Sequence, residues 1–138
     1  MSAERRPDPE ATVLLVDDEV LVRTAIAEYL RDCGYFVLET ASAAEAIVLL
    51  QDAGFRVAIV LSAVEMRGMM DGFGLSKWVR EHRPGVEVIL ASTPARAAAS
   101  AAELCDKGPM LSRPYEPQQV LDHIKRMLAE KGSRSRSD

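Results

Sequence analysis

The sequence lacks features on which several large classes of protein depend. Of its 138 residues only two are cysteines, Cys33 and Cys105, and they lie far apart with no partner motif. We therefore expect neither a disulfide framework nor a zinc site, and we predict two buried thiols. No apolar run approaches the roughly 20 residues that a membrane-spanning helix needs, and no apolar segment follows the charged N-terminus as it would in a signal peptide. These absences predict a cytoplasmic protein without a membrane segment.

An excess of positive charge is also missing. The formal net charge is −4, whereas a nucleic-acid surface needs clustered basic residues to displace the counterions of the phosphates. We therefore expect no nucleic-acid partner. The composition is that of a folded chain, with 48% hydrophobic and 28% charged residues, and the length suits one domain. Polar, aperiodic ends predict a disordered segment at residues 1–10 and a flexible tail at residues 132–138, which leaves one domain at residues 11–131.

Between these ends, short apolar runs alternate with amphipathic segments. The runs are continuous, as in strands buried on both faces, and the helices show apolar residues at helical spacing. Gly34 is placed to end a helix in the left-handed conformation, and Ser42 with Glu45 forms a capping box at the start of another. The predicted strands are Thr12–Val16, Tyr35–Glu39, Val57–Leu61, Val86–Ser92 and Met110–Ser112. The predicted helices are Glu19–Cys33, Ser42 to Gly54, Gly72 to just before Pro84, one that opens at Pro94, and Pro117 to about Lys131.

Five strand–helix pairs in strict alternation predict an α/β fold, a doubly wound five-stranded parallel sheet with helices on both faces. The flavodoxin-like strand order 2-1-3-4-5, a (βα)5 arrangement, is the leading topology. In such a sheet the functional crevice lies outside the carboxyl ends of the strands, between the first and the third. The candidate functional residues are therefore those that follow strand ends, namely Asp17, Asp18, Ala63, Ser92 and Arg113.

The adjacent carboxylates of Asp17 and Asp18 allow two interpretations. Their mutual repulsion is commonly offset by a hard divalent cation. Alternatively, one of the two simply caps the helix that starts at Glu19. The other strand ends supply the context that favours the first interpretation.

Three motifs together resemble the receiver domains of bacterial response regulators, across residues 12 to 130. VLLVDDE at Val13–Glu19 is similar to the acidic-pocket motif of that family, and MDG at Met70–Gly72 is similar to the end of its acceptor loop. RPY at Arg113–Tyr115 occupies the place of its Lys-Pro-aromatic motif. Each motif alone is common, but their combined spacing is highly specific.

The resemblance implies a phosphoryl-transfer site. In the family, an aspartate at the end of the third strand attacks a phosphohistidine of a sensor kinase, while magnesium, a lysine and a hydroxyl hold the phosphoryl oxygens. Aligning the loop motifs places Ala63 at the acceptor position, and alanine cannot be phosphorylated. Ser92 and Arg113 fall at the phosphate-sensing positions. Asp17, Asp18 and the backbone carbonyl of Glu65 fall at the metal-binding positions.

The departures from the family pattern fall in one site. Ala63 replaces the acceptor, Arg67 stands where a proline is usual, and Arg113 stands where the lysine is expected. An engineered phospho-null form of an ordinary regulator would normally change the aspartate alone, so we favour a natural pseudo-receiver and keep the engineered form as an alternative. We predict no catalytic residue, no required cofactor, and weak or vestigial magnesium binding.

The leading functional hypothesis is a non-enzymatic module that acts by phosphorylation-independent protein–protein interaction. The resemblance implies a sensor histidine kinase, a phosphotransfer protein or another regulator as partner. The alanine-rich segment 95–102 would also permit a homodimer through the fourth and fifth helices. The rival hypothesis is a phospho-accepting receiver that uses a nonstandard residue, either Glu65 or Ser62, although strand alternation turns Ser62 away from the pocket. A third is that the chain is the receiver part of a longer regulator with an output domain beyond Asp138.

A final expectation concerns what balances the acidic pair in the absence of a metal. A guanidinium can form two charge-assisted hydrogen bonds with one carboxylate, which a lysine cannot do. We therefore predict that Arg113 binds Asp17 or Asp18 at the place of the cation. The alternative is that Arg113 points into solvent and the pocket holds only water.

Overall fold

The computed structural model of the protein describes residues 12–52, 54–108 and 116–136. Strands and helices alternate along the described chain up to the fourth helix, as the sequence predicts. The strands are β1 (Thr12–Val16), β2 (Phe36–Thr40), β3 (Ile59–Ala63) and β4 (Glu87–Ala91). The helices are α1 (Val20–Asp32), α2 (Ala43–Gln51), α3 (Gly72–His82), α4 (Pro94–Asp106) and α5 (Pro117–Arg136).

The four described strands form one parallel sheet in the order β2-β1-β3-β4. This is the predicted order 2-1-3-4 of an α/β, doubly wound, flavodoxin-like fold, which is confirmed. The predicted fifth strand, Met110–Ser112, lies outside the described residues. Because all strands are parallel, their carboxyl ends meet at one edge of the sheet, and this edge carries the candidate site.

A hydrophobic core lies on each face of the sheet. Strand β1 contributes to both, because Val13 and Leu15 pack against α1, α4 and α5, whereas Leu14 and Val16 pack against α2 and α3. All four side chains are buried. This double burial is the physical reason why the TVLLV run is continuous rather than alternating.

The predicted helix boundaries rest on local hydrogen bonds that the structure contains. The Ser42 hydroxyl accepts a hydrogen bond from the Glu45 amide at 3.1 Å, and the Glu45 carboxylate accepts one from the Ala41 amide at 2.7 Å. Both side chains thus satisfy backbone amides at the start of α2 as predicted, although Glu45 accepts from the amide of Ala41, one residue before the cap, and not from that of Ser42. Gly34 follows α1 with a φ of 98°, a conformation that glycine adopts without steric cost, so the predicted helix stop is confirmed as well.

Three elements differ from the prediction by more than one residue at an end. Strand β3 lies two residues later than Val57–Leu61, because its ends are set by pairing with its neighbours, Val13 with Ile59 at one end and Ala63 with Ala91 at the other. Helix α2 ends at Gln51, three residues before Gly54. Helix α5 extends to Arg136, into the segment predicted to be a tail, because one glycine inside a helix costs only about 1 kcal/mol.

The prediction of two free thiols is wrong, because Cys33 and Cys105 form a disulfide. Both are buried, as expected, but Cys33 caps the end of α1 and Cys105 is the penultimate residue of α4. The two helices pack on the same face of the sheet and end at the same edge, so residues 72 apart in sequence have Cα atoms only 5.4 Å apart. The spacing along the sequence could not reveal this proximity.

The alanine-rich helix α4 packs inward. Ala97, Ala98 and Ala101 are buried in the core cluster that α1 and α5 also line. The small side chains therefore serve close packing within the domain, and only the outer positions of α4 remain for a partner. Within the ranges that the structure describes, no helix is both long and apolar enough to cross a membrane.

Candidate functional site

A crevice of about 280 Å³ opens at the carboxyl ends of the strands. The candidate residues predicted from the sequence meet there, as far as the structure describes them. Those that line the crevice are Asp17, Asp18, Ala63, Glu65 and Ser92. Arg113 lies outside the described residues, so its predicted bond to the acidic pair stays a prediction.

The side chains of Asp17 and Asp18 accept hydrogen bonds from different parts of the backbone. The Asp17 Oδ1 atom accepts one from the Glu19 amide at 2.9 Å, beside the start of α1. The Asp18 Oδ2 atom accepts one from the Arg67 amide at 2.8 Å, in the loop between β3 and α3. The helix cap itself is Glu19, whose side chain accepts from the Leu21 amide. The alternative in which an aspartate caps α1 is therefore wrong.

The electrostatics of the crevice disfavour the charge on Asp17. Burial raises the pKa of Asp17 above its ordinary value, and the neighbouring carboxylates of Asp18 and Glu19 add to this rise in pKa. The hydrogen bond from the Glu19 amide and the positive charge of Arg23 act in the opposite direction. The ionised form is therefore less stable here than in water, because burial removes hydration that a carboxylate needs.

Arg23 is a residue of this site that sequence reasoning missed. Its Nη1 atom donates to the backbone carbonyl of Asp17 at 2.7 Å, and its Nε atom lies 3.2 Å from Oε1 of Glu39 on β2. It thus connects α1 to the end of β1 and to the neighbouring strand, beside the acidic pair. A signal was available, since Arg23 lies one helical turn after the cap Glu19, on the helix that follows the acidic residues.

Ala63 ends β3, and its neighbours offer few nucleophilic groups. Ser62 is 1% exposed, and its hydroxyl donates to the Ala63 carbonyl at 2.9 Å. Glu65 and Ser92 are exposed at the rim of the crevice. Ser62 therefore directs its hydrogen to the backbone of its own chain.

Asp71 and Gly72, at the end of the loop between β3 and α3, each have a structural role at the start of α3. Asp71 caps α3, with its Oδ1 atom accepting from the Gly74 amide at 2.9 Å. A Cβ atom on Gly72 would lie 2.2 Å from the Ala63 carbonyl oxygen, far inside the contact limit. Only glycine allows α3 to start this close to the end of β3, and the Gly72 amide also donates to the Val64 carbonyl at 2.8 Å.

The carboxylates of the crevice fall short of the set that the resemblance implies for magnesium. Magnesium prefers six oxygen ligands in octahedral geometry. Within residues 12–52, 54–108 and 116–136, no three side chains of the His, Cys, Asp or Glu type come together in a way that could hold a metal ion. At the end of β3 the side chain is the methyl group of Ala63, which cannot be a ligand. The donors left at this edge are the carboxylates of Asp17 and Asp18 and the backbone carbonyl of Glu65, one carboxylate fewer than the resemblance implies, and weak magnesium binding stays a prediction.

The sequence profile of the response regulator receiver domain matches residues 13–125. The chain belongs to this family. The match runs from the second residue of β1 through the other three strands and into the first half of α5, so the resemblance seen in three short motifs extends over most of the domain.

Relatives of this receiver domain include one curated protein and several solved structures. The sensor kinase CckA of Brucella abortus (strain 2308) is 37% identical over 119 residues, which are 86% of this chain but only 12% of the kinase. The chemotaxis response regulator CheY4 of Vibrio cholerae is 27% identical, with a TM-score of 0.55 over 84% of this chain and 97% of that one. The NtrX receiver domain of Brucella abortus has the same TM-score at 22% identity, over 85% of this chain and 98% of that one.

Proposed function

We propose that this receiver domain acts in a two-component or phosphorelay system by phosphorylation-independent protein–protein interaction. The observation that carries the proposal is the side chain at the end of β3. A receiver takes up phosphate on a carboxylate at that position, and Ala63 offers a methyl group there, level with Ala91 of β4 and in the same crevice as Asp17 and Asp18. A module of this kind needs no cofactor, and it turns over no substrate.

The proposed partners are a sensor histidine kinase, a phosphotransfer protein or another regulator. A receiver that binds such a protein without accepting its phosphate would compete with active receivers, sequester the partner or act as a scaffold. We place this domain in the cytoplasm together with these partners. The relation to a segment of a sensor kinase supports a role beside a kinase, although this chain covers only 12% of that protein.

The rival function is that of a receiver that accepts phosphate on a nonstandard residue. Ser62 is a poor candidate, because its hydroxyl is buried and donates to the backbone carbonyl of Ala63. Glu65 is exposed at the rim, which leaves its carboxylate accessible to a phosphodonor. Glu65 is therefore the residue that the test must exclude.

The test is incubation with acetyl phosphate and magnesium, followed by intact-mass measurement. We expect no phosphate on the natural chain. Ala63→Asp is expected to gain little, because Arg113 is longer than the lysine it replaces and is not interchangeable with it, whereas Ala63→Asp with Arg113→Lys should be phosphorylated and serves as the positive control. A gain of one phosphate by the natural chain that Glu65→Gln removes would establish the rival function.

Binding is tested separately. The chain is used to capture partners from its source cell, and each captured histidine kinase or phosphotransfer protein is then titrated against purified chain. We expect the Kd to be the same with the partner in its phosphorylated and unphosphorylated forms. Failure to bind any protein of these classes would contradict the proposal.

A further inference from the structure

The bond between Asp18 and Arg67 joins two parts of the crevice that are 49 residues apart in sequence. The Asp18 Oδ2 atom accepts from the Arg67 amide at 2.8 Å. Asp18 sits just after β1, and Arg67 sits in the loop between β3 and α3. A carboxylate that accepts from a backbone amide forms one of the stronger kinds of hydrogen bond in a protein, because the acceptor is charged.

The bond falls in the middle of a loop whose two ends are already fixed. At the start, the Val64 amide donates to the Ala91 carbonyl of β4 at 3.2 Å. At the end, the Gly72 amide donates to the Val64 carbonyl at 2.8 Å. Between them, the Arg67 side chain is exposed, and Gly68 follows with a φ of 109°. Asp18 is therefore the acceptor that ties the centre of the loop to the sheet.

The donor is the backbone N–H group of residue 67, so the bond requires only that this residue carries an amide hydrogen. Every residue except proline carries the amide hydrogen that this bond uses. The guanidinium of Arg67 takes no part in the bond, whose atoms are the Arg67 nitrogen and the Asp18 oxygen. Replacing Arg67 by alanine keeps the bond, and replacing it by proline removes it.

Asp18 is also one of the side chains that, by the family resemblance, would bind a cation at this crevice. Asp17 and Asp18 each already accept a hydrogen bond from a backbone amide, Asp17 from that of Glu19 and Asp18 from that of Arg67. The carboxylate that the resemblance implies at the end of β3 is replaced by the methyl group of Ala63, which cannot bind a cation. The centre of the loop is thus held by the chain itself at the place where a metal would otherwise join β1 to the loop.

We propose that Asp18 is a positioning residue that holds the β3–α3 loop in one conformation through its bond to the Arg67 amide, and that this bond takes the place of a divalent cation. Loop order then does not depend on magnesium. The consequence for signalling rests on the proposed function, because a binding module that works without phosphorylation needs its crevice loops in one arrangement at all times.

The test is hydrogen exchange of the loop amides, measured by NMR on the full chain with and without millimolar magnesium. We expect the Arg67 amide to be protected in the natural chain, and magnesium to change its exchange rate less than about twofold. Asp18→Ala should raise that rate roughly tenfold or more, which is the loss expected for a hydrogen bond to a charged acceptor.

Two variants at position 67 separate the backbone from the side chain. Arg67→Ala is the matched control and should leave the exchange of the loop amides within about twofold of the natural chain. Arg67→Pro should raise the exchange of the remaining loop amides as much as Asp18→Ala does, and the double variant should raise it no further.

An unprotected Arg67 amide in the natural chain overturns the proposal, and so does protection that appears only when magnesium is added. Both are read on the natural chain, so the outcome does not depend on the folding of any variant. If the natural chain takes up phosphate in the mass experiment but its Arg67 amide is protected, the proposed function is refuted and the role of Asp18 stands. An unprotected amide without phosphate uptake would refute that role alone.

Discussion

Breaking the Cys33–Cys105 disulfide is expected to lower the free energy of unfolding by about 4 kcal/mol. The two cysteines are 72 residues apart, so the bond closes more than half of the chain into a ring in the unfolded state. The chain-entropy relation for a ring of that size yields ~4.4 kcal/mol at 25 °C. Small domains have a total stability of only about 5–15 kcal/mol, so this single bond is a large share of it.

The assay is urea unfolding of the oxidised protein and of the same protein kept in a thiol reductant. This comparison leaves every side chain in place, so it isolates the bond from the packing of two buried residues. Intact mass and alkylation after denaturation establish first that the oxidised sample contains no free thiol. The end of α4 should stay attached in the reduced protein, because the Tyr35 hydroxyl donates to the Leu104 carbonyl at 2.5 Å.

A Cys33→Ala/Cys105→Ala protein is the control, and its unfolding curve should not respond to the reductant. A difference of less than about 1 kcal/mol between oxidised and reduced natural chain would refute the entropic reasoning. Two alkylated thiols in the untreated protein would refute the bond itself. Cytoplasmic thiols are normally kept reduced, so the same measurement shows how much stability the domain retains in a reducing compartment.

Two further substitutions test the crevice. Gly72→Ala should lower the free energy of unfolding in urea by about 1–3 kcal/mol, because its Cβ would meet the Ala63 carbonyl oxygen at 2.2 Å. The control is Gly85→Ala, whose Cβ would have no atom within 4 Å. It should change the free energy of unfolding by less than about 0.5 kcal/mol. Asp17→Asn should raise Tm near neutral pH. Burial raises the pKa of Asp17 above its ordinary value of 3.8, so the natural protein loses stability as the pH rises from 3.8 through the raised pKa, and the variant avoids that loss. The amide oxygen can still accept from the Glu19 amide, and the gain should vanish below pH 3.8; a gain that persists in acid would contradict the role of ionisation.

Much of the fold could be predicted from the sequence, because local physical chemistry determines it. The apolar run of β1, the stop at Gly34 and the capping box at Ser42 depend on residues close in sequence, and each appears where it was predicted. Strict alternation of strands and helices then leaves few topologies. The gathering of Asp17 and Ala63 in one crevice follows from parallel strands alone, because their carboxyl ends share one edge.

What the tertiary structure alone decided depends on distances between residues remote in sequence. The disulfide joins two helix ends 72 residues apart, and the exact span of β3 depends on its pairing with both neighbours. In the same way, the sequence shows two adjacent carboxylates but not that the one on Asp18 accepts from the amide of Arg67. Every residue but proline carries that amide, so no residue type marks it. Only the course of the folded chain brings such a donor within 2.8 Å of its acceptor.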